Sequence, residues 1–168
     1  FDSCTLVVNG SGIEVRRGGP EVAIKANTIE SNNGAGIDIN SGGDFSVRDN
    51  TIQFNQNDGF ELSGSTDIVV LGNLVSSNVG RGIDVMLTGG RSNIQIGDGR
   101  EDGRNRVIGN QREGIYYLST AAGAQNQNVE ASVQPLATGG AGGGGSAVLH
   151  VDTNTIDNNG VGSAFGAT

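Results

Sequence analysis

Apolar residues in this chain fall in short alternating groups, and the groups recur. The pattern Asn-x-[Ile/Val]-x-x-Asn, with Gly four residues further on and then a large apolar residue, first runs Asn27, Ile29, Asn32, Gly36, Ile37. It returns as Asn50, Ile52, Asn55, Gly59, Phe60, then as Asn73, Val75, Asn78, Gly82, Ile83, and again as Asn105, Val107, Asn110, Gly114, Ile115. A last copy has Asn154, Ile156 and Asn159, with Ser163 at the glycine position before Ala164 and Phe165. A degenerate opening copy keeps Gly12, Ile13 and Val15. The starts at 27, 50 and 73 are 23 residues apart, and the next two spacings are 32 and 49. Between copies lies a further alternating pair: Val22 and Ile24, Phe45 and Val47, Ile68 and Val70, Ile94 and Ile96, Leu149 and Val151.

Each repeat thus holds three segments too short for a helix, each with the period of two of a strand buried on one face. Three such segments per repeat of constant length predict a β-solenoid of about six coils, each repeat stacking on the last. The regular coils span 12–117 and 149–165, within a single domain of 1–168. Extra residues in the coil starting at Asn73 form one insertion, and 118–148 is expected to be a second, a loop insertion. Stacking at about 4.8 Å per strand brings each Asn column into register, so the side-chain amides can form ladders. The glycines are expected at corners, where left-handed backbone is needed.

Composition fits a repeat fold better than a compact α/β enzyme. Apolar residues make up 35% and aromatics 4%, with 30 glycines, two prolines and no tryptophan. The fixed period argues against the disorder that such a composition otherwise suggests. A formal charge of −8 disfavours nucleic acid and anionic lipid as partners. No run of the ~18–20 apolar residues that span a membrane is present. One cysteine, Cys4, excludes an internal disulfide. Cys4 precedes the regular repeat and reads as buried packing. The chain begins at Phe1 and shows no signal peptide, as expected of a processed product or an excised piece.

These repeats resemble those of the pectate-lyase-like superfamily of parallel β-helices, found in secreted polysaccharide enzymes and large bacterial surface proteins. Ser92-Asn93-Ile94-Gln95-Ile96-Gly97 followed by Asn105-Arg106-Val107-Ile108-Gly109-Asn110 is similar to a segment common in the surface proteins. The resemblance implies an all-β, right-handed parallel β-helix and an extracellular or cell-surface location. It also implies polysaccharide as a candidate partner.

The candidate chemistry lies in the Gly-Ile-x-Ile segments. Their x position points outward and reads Glu14, Asp38, Glu61, Asp84 and Tyr116 in successive coils. Stacked like charges repel, so salt, a base or a bound cation should offset them. Such a row is a candidate ligand-binding face for Ca²⁺ or a glycan. Asp38, Glu61 and Asp84 are also candidate acid–base catalysts on a glycosidic bond. The alternative is a solvated strip that keeps the solenoid soluble. Lyases of the resembling superfamily use a Lys or Arg base beside bound cations, and no such cluster is evident near the strip. Arg81 and Arg112, on the bends before Gly82 and Gly114, are instead placed to neutralise it.

The loop Gly97–Gly103 offers Asp98, Glu101 and Asp102 as further metal candidates, with a plain polar turn as the alternative. His150 is expected to face solvent. Gly139–Gly145 lacks the Lys-Ser/Thr of a phosphate loop. Gln125, Asn126, Gln127 and Asn128 could hydrogen-bond a sugar, with a disordered loop as the alternative. No amphipathic helix caps either end, so continuation of the chain or end-to-end self-association is expected. Three functional readings stand together: a non-catalytic module presenting a rigid face to glycan or cation, a fragment of a polysaccharide lyase, hydrolase or epimerase, and a structural spacer.

Overall fold

The computed structural model describes residues 1, 3–17, 21–64, 66–87, 92–119, 125–127, 133–137, 147–152 and 154–160. Every regular element among them is a strand. The first coil is β1 (Thr5–Val7), β2 (Ile13–Val15) and β3 (Val22–Lys25). The second is β4 (Thr28–Glu30), β5 (Ile37–Asn40) and β6 (Gly43–Arg48). The third is β7 (Thr51–Gln53), β8 (Phe60–Ser63) and β9 (Thr66–Leu71), and the fourth β10 (Leu74–Ser76), β11 (Ile83–Leu87) and β12 (Ser92–Ile96). The fifth begins with β13 (Arg106–Ile108) and β14 (Ile115–Ser119). Then follow β15 (Gln125–Gln127), β16 (Val133–Ala137), β17 (Ala147–Val151) and β18 (Thr155–Asp157). Of the six coils expected, four are therefore unbroken, the fifth is split, and the sixth contributes β18.

The strands stack into three parallel sheets. Sheet I is β1-β4-β7-β10-β13-β18, sheet II is β2-β5-β8-β11-β14-β16, and sheet III is β3-β6-β9-β12-β17-β15. Their registers match the sequence columns: Ile29 pairs Ile52, Ile37 pairs Phe60, and Phe45 pairs Ile68. The inward positions make one core, with Ile24, Ile29, Ile37, Ile39, Val47, Leu62, Val75, Ile83, Val85, Ile94, Ile96 and Val107 at 0% exposure. Each such side chain contributes roughly 1.5–3 kcal/mol of burial.

Both Asn columns form ladders. Asn50 Nδ2 donates to Asn73 Oδ1 at 2.9 Å and to Ile24 O at 3.0 Å, while Asn50 N donates to the same Asn73 Oδ1 at 3.0 Å. Asn55 repeats this arrangement with Asn78 and Ile29. Both ladders run across the insertions, from Asn73 to Asn105 to Asn154 and from Asn78 to Asn110 to Asn159. Corner backbone groups are thereby satisfied from coil to coil.

Four expectations need correction. The opening coil begins before Gly12: Leu6 pairs Ile29, and Cys4 and Asn9 stand at the two ladder positions. Cys4 is exposed, not buried; it lies in the outermost coil, with its N–H donating to Asn27 Oδ1 at 2.9 Å. The segment 118–148 is more than a loop. Within it β16 pairs β14 in sheet II and β15 pairs β17 in sheet III. The last coil leaves unpaired backbone groups, and these strands pair with them. Pro135 falls in β16, an outer strand, where proline is tolerated because alternate backbone nitrogens face away from the sheet.

Finally, the repeat glycines Gly36, Gly59, Gly82 and Gly114 are absent from the left-handed positions. Those are held by Ala26, Asp49 and Gly72 at one corner and by Ser31, Phe54, Ser77 and Gly109 at another. Space, not backbone angle, demands the repeat glycines. A Cβ at Gly36 would lie 2.6 Å from Gly59 O and 2.9 Å from Asn55 Nδ2. Residues 128, 139–145 and 163–165 lie outside the described set, as does the side chain of His150.

Candidate functional site

Sheet II places the expected row in one column: Glu14 pairs Asp38, Asp38 pairs Glu61, Glu61 pairs Asp84, and Asp84 pairs Tyr116. The members differ in surroundings. Glu14 is exposed and meets Arg16 at 2.7 Å. Asp38 and Glu61 are half-buried. Asp84 is only 2% exposed although it stands on the outer face.

The cover over Asp84 is Arg81. Its Nη1 donates to Asp84 Oδ2 at 2.6 Å and its Nε to Glu113 Oε2 at 3.1 Å. The guanidinium carbon sits 3.9 Å from the centroid of the Tyr116 ring, a cation–π contact. The backbone N–H of Arg81 donates to Asp58 Oδ1 at 2.5 Å. Arg81 therefore neutralises the end of the row, as its bend position suggested. Among the described residues, the acidic partner of Arg112 is Glu113, at 3.7 Å. Asp84 Oδ1 is buried with no hydrogen-bond partner.

Electrostatics follows from this packing. Burial, then the charge of Glu14, pushes the Asp38 carboxyl above its ordinary value, against Arg16. Glu61 is also pushed up by burial, then by Asp38, Asp58 and Asp84, against Arg81. Burial raises Asp84 too, and outweighs the charge and hydrogen bond of Arg81. Arg81 is itself held above its usual value: burial works against its charge, but Asp84 and Glu113 outweigh that.

A carboxyl raised in the folded state binds protons more readily there than in the unfolded chain, so stability falls as pH rises through that interval. The unfolding midpoint should therefore rise as pH is lowered from neutral towards the ordinary carboxyl range of about 4. Asp38→Asn with Glu61→Gln should raise the midpoint at pH 7 and flatten its pH dependence. Thermal melts across pH check both; an unchanged slope in the double variant would show that the row is not under strain.

Asp98, Glu101 and Asp102 are not brought together. Asp98 Oδ1 accepts from Arg100 N at 3.1 Å inside its own turn, and Glu101 and Asp102 are exposed. Among the described residues, no group of three or more His, Cys, Asp or Glu side chains is close enough to hold a metal ion. Catalysis by Asp84 would require Arg81 to move, because no ligand reaches a carboxylate covered as this one is. Asp38 and Glu61 remain accessible.

Sheet III carries an acidic row that the sequence reading passed over. Asp44 pairs Asp67, which pairs Asn93, and Glu21 precedes Val22 at the same position. An open groove runs there, lined by Glu21, Asp44, Ser46, Asp67, Val69 and Asn93. The signal was present: each acid comes directly before the first inward residue of its pair. Asp58 and Glu113 were also missed. They fall in the Arg81 column one coil before and one after.

No match was found among curated proteins or solved structures. The family model for the right-handed β-helix region matches residues 1–100. It thus covers more than half of the chain, over the coils whose parallel registers are described above. This chain belongs to the right-handed β-helix family.

Proposed function

We propose that this chain is a non-catalytic β-helix module of an extracellular or cell-surface protein, and that sheet II binds glycan or a cation. The observation that carries the reading is the alignment of Glu14, Asp38 and Glu61 at strand spacing. Two of these carboxyls are half-buried and mutually repelling. A rigid row of under-neutralised acceptors favours hydroxyl donors or positive charge. A buried Asp84 supports binding over catalysis, since the carboxylate that Arg81 covers is one a substrate does not touch. No more than two neighbouring carboxylates face a given point of the row, so Ca²⁺ held there would keep most of its ligands as water or sugar hydroxyls.

Thermal unfolding with Ca²⁺, with chelator, and with acidic and neutral oligosaccharides tests the reading. A ligand of the native state raises the midpoint. The rise should vanish in the Asp38→Asn, Glu61→Gln double variant. The reading fails if no ligand shifts the midpoint, or if the variant responds as the parent does. Strands β1, β2 and β3 form one edge of each sheet. In the same reading, more chain or a second copy pairs with that edge. Sedimentation at rising concentration checks this, and a stable monomer at every concentration, with no end-to-end association, overturns it.

A further inference from the structure

The outer face of sheet III changes sign along its strands. Its first outward column is Glu21, Asp44, Asp67 and Asn93. The middle column is Ala23, Ser46, Val69 and Gln95, and the last begins with Lys25 and Arg48. All of these residues are exposed or half-buried. Asp44 and Arg48 are four residues apart on β6, so about 13 Å separates the acidic row from the basic one. The rows do not neutralise each other. Among the described residues, the ion pairs include none of Glu21, Asp44, Asp67, Lys25 and Arg48. Arg48 Nε donates to Ser46 Oγ at 2.9 Å, which holds the guanidinium against this face. The carboxyl of Asp49, next in sequence, lies against Gly72 around the corner.

A face with an acidic row and a basic row is complementary to the same face turned round. A two-fold axis between two copies, parallel to the solenoid axis, reverses the strands and keeps each coil level with itself. Asp44 then faces Arg48 of the second copy, and Glu21 faces its Lys25. The middle column meets its own counterpart, and Ala23, Ser46 and Val69 are small enough for two sheets to approach to about 10 Å. An axis along the strands would set acid against acid, which like-charge repulsion opposes. The groove along the acidic row has a volume of about 290 Å³ and takes in Val69. That suits a long side chain with an apolar stem and a cationic head. We infer that sheet III is the self-complementary interface of a homodimer, held by Asp44 and Arg48 in two symmetric contacts. Such an isologous contact closes with two copies. It spans a few coils at about 4.8 Å each, an area in the range of weak, reversible association. It is separate from the carboxylate row on sheet II and from the open edges of β1, β2 and β3.

Sedimentation equilibrium of the full chain, at up to about 1 mM protein in about 20 mM NaCl, tests the interface. The variants are Asp44→Arg, Arg48→Asp, and the two substitutions together on one chain. The parent should dimerise, and about 300 mM NaCl should weaken the dimer roughly tenfold, since its contacts are between exposed charges. Each single variant should associate at least about tenfold more weakly, because both symmetric contacts become like-charged. An equimolar mixture of the two single variants should regain the parental affinity, since one chain then presents two basic positions and the other two acidic ones. The double variant should dimerise as the parent does, with its rows exchanged. If a single variant melts below the parent, the double variant decides: parental dimerisation supports the interface, and a monomer overturns it. The inference is overturned if the parent stays monomeric at low salt. It is also overturned if the single variants associate as the parent does, which places the contact at the open edges. A mixture that fails to regain affinity overturns it too, because the two positions then do not face each other.

Discussion

Asn78→Ala should remove about 2–6 kcal/mol of stability, a large share of the ~5–15 kcal/mol that holds a typical domain. Asn78 is fully buried and engages both its neighbours along the ladder. Its Oδ1 accepts from Asn55 N at 3.1 Å and Asn55 Nδ2 at 2.9 Å; its Nδ2 donates to Ile52 O at 3.2 Å and Asn110 Oδ1 at 2.9 Å. Truncation orphans at least two of these groups in the interior, at about 1–3 kcal/mol each. Asn78→Asp keeps the shape and the acceptor but sets a second oxygen against Ile52 O and Asn110 Oδ1. That buries an unpaired charge, so Asp should be worse than Ala at pH 7. Its carboxyl would be strongly raised, so the loss should shrink as pH falls and the proton supplies a donor. Asn33→Ala, at an exposed asparagine outside the ladders, is the control and should stay within about 0.5 kcal/mol. Denaturant unfolding of the three variants checks the ranking. An Asn78→Ala loss no larger than that of the control would mean that water serves the corners as well as the ladder does.

The columns were legible in the sequence because a solenoid repeats its physics at a fixed interval. Once Asn27, Asn50 and Asn73 set the period, the partners of Asp38 and of Phe45 followed without reference to anything distant in the chain. What the period did not carry was the packing of one column against the next. Asp84 shares its column with Glu61, yet it is buried because Arg81, around a corner, folds over it and Tyr116 of the next coil backs the guanidinium. Neither side-chain type recurs in its column of the repeat. Cys4 was within reach of the period, standing one repeat before Asn27. It was misjudged because a residue at the ladder position of an outermost coil has a neighbour on one side only. The strands β15 and β16 carry no repeat signal, since they pair with open edges and not with a matching coil.

The glycine columns show the same division between pattern and cause. Recurrence marks Gly59 as indispensable, but the reason lies between coils. Gly59 immediately precedes β8 without left-handed backbone, so an alanine there meets no penalty in φ. It meets the next coil. A Cβ would lie 2.7 Å from Asn78 Nδ2 and 2.8 Å from Gly82 O, and closer still to Val75 Cγ1. Relieving that overlap means parting coils joined by Gly59 N to Arg81 O at 2.8 Å and Phe60 N to Gly82 O at 2.9 Å. It also displaces a ladder amide. Overpacking of this kind costs about 3 kcal/mol, or more where backbone must move. Gly109→Ala has left-handed backbone but open space, with Ser77 Oγ 3.9 Å away, and should lose only the ~1 kcal/mol of backbone strain. Gly10→Ala has neither obstacle and should be neutral or slightly stabilising, because it restricts the unfolded chain. Thermal melts should therefore place Gly59→Ala far below Gly109→Ala, and Gly109→Ala below Gly10→Ala. If Gly59→Ala melts beside Gly109→Ala, the coils are free to part locally, and the column is conformational in origin after all.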